Sequence, residues 1–140
     1  MLALRLVIDT NVLVSAALSP NSLQRTTLLL AITKPARLYL SRPILEEYME
    51  VLSRPELSIR KGLRLQLLQL IRTNGRLVAP SRRIEVTRDP DDNMFVECAD
   101  AARADFLVTG NRKHFPAFWK NTKIVSPREF VSLAAPHLLP

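Results

Sequence analysis

Short apolar runs alternate along the chain with longer stretches in which apolar residues recur at helical spacing. Leu4–Ile8, Arg37–Ser41, Gly75–Ala79, Asp105–Thr109 and Thr122–Val125 read as strands, mostly built from Val, Leu and Ile. The first lies in an apolar stretch that begins at Leu2 and has the length of a buried strand. Helical patterns fill the gaps: one directly after Asp9-Thr10-Asn11, then Ser22–Thr33, Arg42–Ser53 with Pro43 in its first turn, Ser58–Asn74 closing on Gly75, and Pro90–Arg103. The last helix opens with Ser126-Pro127-Arg128-Glu129, a capping box with Pro at the first helical position. This alternation predicts an α/β fold whose central, mainly parallel sheet is covered on both faces.

Composition narrows the class. A chain of 140 residues that is 47% hydrophobic with 3 glycines fits one domain over residues 1–140 with a full core. The N-terminus lacks a secretory pattern, and no apolar run approaches the ~20 residues of a membrane span. Cys98 is the only cysteine, so no intramolecular disulfide forms, and it falls among apolar residues of a helix. The expectation is a cytoplasmic protein with Cys98 in its core. The absence of a G-x-G-x-x-G or Walker-type lysine argues against dinucleotide or NTP binding.

Charge matters more by placement than by total. The net charge is +7, with 15 Arg against 5 Lys, a bias suited to bidentate contacts with phosphate. Residues 54–88 hold nine basic side chains (Arg54, Arg60, Lys61, Arg64, Arg72, Arg76, Arg82, Arg83, Arg88) against Glu56 and Glu85, so this segment carries the whole +7. Such a stripe beside clustered carboxylates suits a protein that holds a polyanion and cuts it with metal. The plainer alternative is a solvated, Arg-rich helix surface.

Asp9 stands at the C-terminal end of the first strand, where open α/β sheets bind ligands, or else it caps the following helix. On the helix from Arg42, the residues Ile44, Leu45, Tyr48, Met49, Val51 and Leu52 form an apolar stripe. Glu47 lies about 40° from its edge and Glu46 about 60°, while Glu50 faces solvent. Glu47 is therefore the candidate that reaches a crevice, with Glu46 as the alternative. In Asp89-Pro90-Asp91-Asp92-Asn93, one acid suffices to complement a helix start, whereas three repel one another unless a cation neutralises them. Mg²⁺ and Mn²⁺ prefer such oxygen ligands. His114 reaches at most the crevice rim and reads as structural or solvated. Phe115, Phe118 and Trp119 form an aromatic patch suited to core or oligomer contact before base stacking.

Taken together, Asp9-Thr10-Asn11-Val12, the Ser41 to Leu52 pattern with Glu47, Asp89-Pro90-Asp91-Asp92-Asn93, and Ala104 to Asn111 resemble a PIN domain, and within it the VapC-like ribonuclease toxins of toxin–antitoxin pairs. The resemblance runs from about residue 4 to Phe130. It implies a three-layer α/β/α sandwich and a pocket in which Asp9, Glu47 and Asp92 hold Mg²⁺ or Mn²⁺ for RNA hydrolysis. The fourth acid of many members falls on Asn111, whose amide coordinates without charge. Thr10, Asn11 and Asn111 are implied to orient ligands or waters, and Asp105 is not implied as a ligand. The resemblance further implies a homodimer and a cognate antitoxin whose segment covers the groove. Two rivals stand beside this expectation. One is a catalytically impaired PIN-like module that binds RNA or a protein partner. The other is a phosphoryl-transfer protein, disfavoured because Asp9-Thr10-Asn11 departs from D-x-D-x-T.

Overall fold

A computed structural model describes residues 3–140, so Leu2 lies outside the described residues. The chain runs β1 (Arg5–Ile8), α1 (Thr10–Leu18), α2 (Leu23–Ala31), β2 (Arg37–Leu40), α3 (Arg42–Leu52), α4 (Lys61–Asn74), β3 (Arg76–Leu77), α5 (Asn93–Ala102), β4 (Phe106–Val108), β5 (Phe118–Trp119), β6 (Thr122–Val125) and α6 (Pro127–Ala134). The sheet order is β3-β2-β1-β4-β6-β5, parallel throughout except where β5 pairs antiparallel with β6. Helix α5 packs across β1, β2 and β4 on one face, while α1, α2, α4 and α6 pack on the other. The result is the expected three-layer α/β/α sandwich.

The central strands explain why the apolar runs are continuous rather than alternating. Leu6, Val7 and Ile8 of β1 and Leu107 and Val108 of β4 are all buried, because helices cover both sides of the sheet. The chain winds from β1 outward to β3, then returns under α5 to β4 on the other side of β1. The winding direction therefore reverses between β1 and β4, which opens a crevice beyond their carboxyl ends.

Several local expectations shift. The helix expected from Ser58 begins only at Lys61, because Pro55–Leu57 form a short 3-10 turn that ends with Ser58 at φ 54°. The helix expected from Pro90 starts with a 3-10 turn, Pro90–Asp92, before α5 proper. Met49 belongs to no buried stripe: it is 39% exposed and its Sδ accepts from Arg72 at 3.0 Å. The aromatic patch divides. Phe115 is buried, Phe118 is exposed on β5, and the Trp119 indole donates to Asp100 at 3.0 Å. The strand expected at Gly75–Ala79 shortens to the two residues of β3, and the two-residue β5, which pairs antiparallel with β6, was not expected. Cys98 is core as expected, and burial pushes its thiol up to about 12. Among the described residues no helix is long and apolar enough to cross a membrane.

Gly75 ends α4 for lack of space rather than for left-handed backbone, since its φ is −83°. A Cβ there would lie 2.5 Å from the Ile71 carbonyl oxygen and 2.7 Å from Leu40 Cδ2. Gly75→Ala is expected to cost about 1–3 kcal/mol in chemical denaturation, the range for overpacking. An unchanged midpoint would show that the α4–β3 junction relaxes freely.

Candidate active site

Asp9 leaves β1 as extended backbone, its N–H bonding the Val108 carbonyl at 2.9 Å and so lengthening the β1–β4 ladder by one residue. It occupies the position before α1, yet its side chain makes no capping hydrogen bond. Instead Oδ2 accepts from the Thr109 hydroxyl at 2.7 Å, at the end of β4. The choice between a helix cap and a group in the crevice is thus decided for the crevice. Thr109 Oγ1 also receives the Asn111 N–H at 2.9 Å, and Asn11 Oδ1 receives the Gly110 N–H at 3.1 Å. The turn after β1 and the turn after β4 are consequently one bonded unit.

Helix α3 follows β2 and presents Glu47 to this unit. The Thr10 hydroxyl donates to Glu47 Oε2, and the buried Tyr48 hydroxyl donates to the Ile8 carbonyl, fixing the rotation of α3 against β1. Glu46 is exposed, whereas Glu47 is half-buried. Of the acids before α5, Asp89 caps the 3-10 turn Pro90–Asp92, accepting from the Asp91 N–H at 3.0 Å. Asp92, at the start of α5, makes no capping bond, and its Oδ2 lies 3.5 Å from His114 Nδ1. His114 therefore touches the cluster that the sequence placed it beside only loosely. Asn111 is exposed at the head of the turn Arg112–His114. Asp105 lies at the opposite end of β4, where Oδ2 accepts the Arg5 N–H at 2.8 Å.

The acids interact. Burial raises the Asp9 carboxyl from 3.8 to about 6, and the charges of Asp92 and Glu47 push the same way; the Thr109 hydroxyl and the Thr10 N–H pull against them. Burial and the nearby Asp89 also raise Asp92, with His114 opposing. Among the described residues no Lys, Arg or His forms an ion pair with Asp9 or Glu47. Nor do three His, Cys, Asp or Glu side chains there stand close enough to hold an ion by themselves. Mg²⁺ and Mn²⁺ do not require that, since they commonly take one or two carboxylates and fill the remaining positions with water and substrate oxygens. An all-oxygen donor set in which burial and neighbouring acids raise Asp9 and Asp92 fits such an ion.

The PIN domain model matches residues 5–113. The chain belongs to the PIN domain family. An uncharacterized protein of Methanocaldococcus jannaschii is 27% identical over 140 residues, covering 91% of this chain and 90% of that one. The crystal structure of VapBC2 from Rickettsia felis, bound to a DNA fragment from their promoter, superposes with a TM-score of 0.56. That match has 17% identity and covers 87% of this chain and 98% of the other, a likeness of fold. The PIN domain match takes in Asp9, Glu47, Asp92 and Asn111 and stops one residue before His114.

A cleft of about 430 Å³ adjoins the acids, with Glu47, Asp91 and Arg83 on its walls. The basic segment does not form one stripe along it. Arg83 faces this cleft, Arg82 stacks 6.0 Å over Trp119 in another, and Arg54 pairs with Glu50 at 2.9 Å. The loop carrying Arg82, Arg83 and Arg88 is nevertheless held firmly. Asn93 Oδ1 accepts the N–H groups of Val86 and Thr87 at 3.1 and 3.0 Å and the Thr87 hydroxyl at 2.7 Å. The Arg88 N–H bonds the His114 carbonyl at 3.0 Å. The sequence did not single out Asn93, Thr109 or Tyr48; their only signal was position beside the acids, since their bonds are long-range.

Two outcomes follow for the PIN domain. A carboxyl raised to about 6 in the folded state favours the ion-free fold while protonated, and that advantage fades as pH rises from about 4 through 6. The loss amounts to about 3 kcal/mol at one decade per 1.36 kcal/mol. In chelator, wild type is therefore expected to lose ground against Asp9→Asn as pH rises, measured by urea midpoints; a pH-independent difference would contradict it. Asn93→Ala should accelerate amide exchange at Val86 and Thr87 by about tenfold or more as the loop is released. Unchanged protection would mean that the loop is held by other bonds.

Proposed function

We propose that this PIN domain is a Mg²⁺- or Mn²⁺-dependent endoribonuclease, the toxin of a toxin–antitoxin pair. The observation that carries the proposal is Asp9: a buried carboxylate at the β1–β4 crevice, coupled to Glu47 and Asp92, with no cationic side chain paired to it among the described residues. Asp9, Glu47 and Asp92 would hold the ion, with the Asn111 amide as a neutral neighbour. Bound there, a divalent ion supplies Lewis-acid activation of water and neutralisation of charge at the scissile phosphate. The chain's own groups do the positioning. Thr109 aims Asp9, Thr10 aims Glu47, and His114 lies against Asp92. Arg83 on the cleft wall attracts a flanking phosphate.

On this reading the chain has a cognate antitoxin, as the VapBC2 complex of similar fold pairs two components, and it is a cytoplasmic homodimer. A second reading, a catalytically impaired module that binds RNA or protein, draws on Asn111, which is exposed and brings no charge. Cleavage of structured RNAs in Mn²⁺ by wild type and Asp92→Asn separates the two. The variant is expected to lose more than about 100-fold, beyond the 10–100-fold typical of residues that only support metal ligands. Equal rates would remove Asp92 from the site. Absence of Mn²⁺ binding by calorimetry would favour the impaired module.

A further inference from the structure

The cleft beside Glu47 does not end at Met94. A second cleft of about 440 Å³ shares Pro43, Met94 and Glu97 with it and continues toward the edge strand β3, walled by Leu77, Val78 and Pro80. The two adjoin along Pro43, Met94 and Glu97, and the surface changes character across that border, acidic at the Glu47 end and apolar at the β3 end. Arg83 stands on the first part and Arg42 on the second, so each part has an exposed cation for a phosphate. A volume of this size lies within the range of small-molecule pockets, which are mostly apolar with a few placed polar groups.

Glu97, on α5, is the acid shared by both parts. Its Oε2 accepts the N–H of Ile84 at 3.1 Å, and Ile84 is only 4% exposed, so the carboxylate is held in a fixed orientation. Among the described residues Oε1 has no protein donor. A carboxylate accepts hydrogen bonds and donates none. It favours the exocyclic amino groups of cytosine, adenine and guanine, and it repels the carbonyl oxygens that flank N3–H in uracil. The thioether of Met94 and the rings of Pro43 and Pro80 offer a polarisable, apolar surface for the face of a base. Bases in single-stranded RNA are free to be splayed into such a surface.

We propose that the apolar second cleft is the subsite for the base of a nucleotide flanking the scissile bond, and that Glu97 selects an amino-bearing base there. The proposal rests on the ribonuclease reading for its ligand class, but its test is binding rather than turnover. Fluorescein-labelled oligouridylate, with or without a single cytidine, adenosine or guanosine, is titrated by anisotropy in metal-free and in Ca²⁺-containing buffer. Wild type is expected to bind the substituted strands about fivefold or more tightly, less than a bidentate base contact gives. Glu97→Gln keeps an acceptor for the Ile84 N–H but turns an amide donor outward, so the preference should vanish or invert toward uridine. Met94→Asp, at a half-buried groove position, should weaken every strand about tenfold; thermal melts confirm that both variants fold. Equal affinity of wild type for all strands, unchanged discrimination in Glu97→Gln, or no binding in either buffer would overturn the subsite. Discrimination without RNA cleavage by wild type in Mn²⁺ would remove the nuclease reading and leave the subsite standing. Cleavage without discrimination would do the reverse.

Discussion

Adjacent pairing of β1 and β4 is the constraint on which the site depends. These strands are far apart in sequence, yet Leu6, Val7 and Ile8 lie in register with Phe106, Leu107 and Val108. The ladder extends one further step, from the Asp9 N–H to the Val108 carbonyl. That last bond brings Asp9 and Thr109 to the same edge, where the hydroxyl and the carboxylate meet. Because side chains alternate between the faces of a strand, a slip of one residue would turn Asp9 away from the crevice. The buried apolar runs on either side therefore fix the chemistry by fixing the register.

Holding a carboxylate there is unfavourable in itself. Burial and two neighbouring acids raise Asp9, and the Thr109 hydroxyl and the Thr10 N–H offset this, with no cation paired to it among the described residues. The same economy appears before α5, where Asp89 takes the capping bond and leaves Asp92 free to face His114. Local requirements of the helix start and requirements of the cleft are assigned to different acids of one short run.

The basic loop follows a similar logic. Loops with this much charge are usually mobile, yet Asn93 ties down Val86 and Thr87, Glu97 ties down Ile84, and the His114 carbonyl receives Arg88. Its anchors lie on α5 and on the turn after β4, the elements that also hold Asp92 and Asn111. Loop and acids thus form one rigid frame, which suits recognition of an extended polyanion by a preorganised surface.

By itself, the sequence determined the alternation of strands and helices, the sandwich class, the five strands that pair in parallel to within about two residues, and the short list of acids. These are local properties: apolar period, capping residues and turn chemistry act within a few positions. Glu47 was separable from Glu46 because helical angle alone sets distance from a buried stripe. Only the tertiary structure decided that Asp9 bonds Thr109 instead of capping α1, that Asp89 caps the Pro90–Asp92 turn while Asp92 makes no capping bond, and that His114 reaches Asp92. It also divided the basic segment among separate surfaces and joined two clefts through Glu97. Each of these rests on contacts between residues distant in the chain, which exist only once burial of β1 and β4 has fixed the register of the sheet.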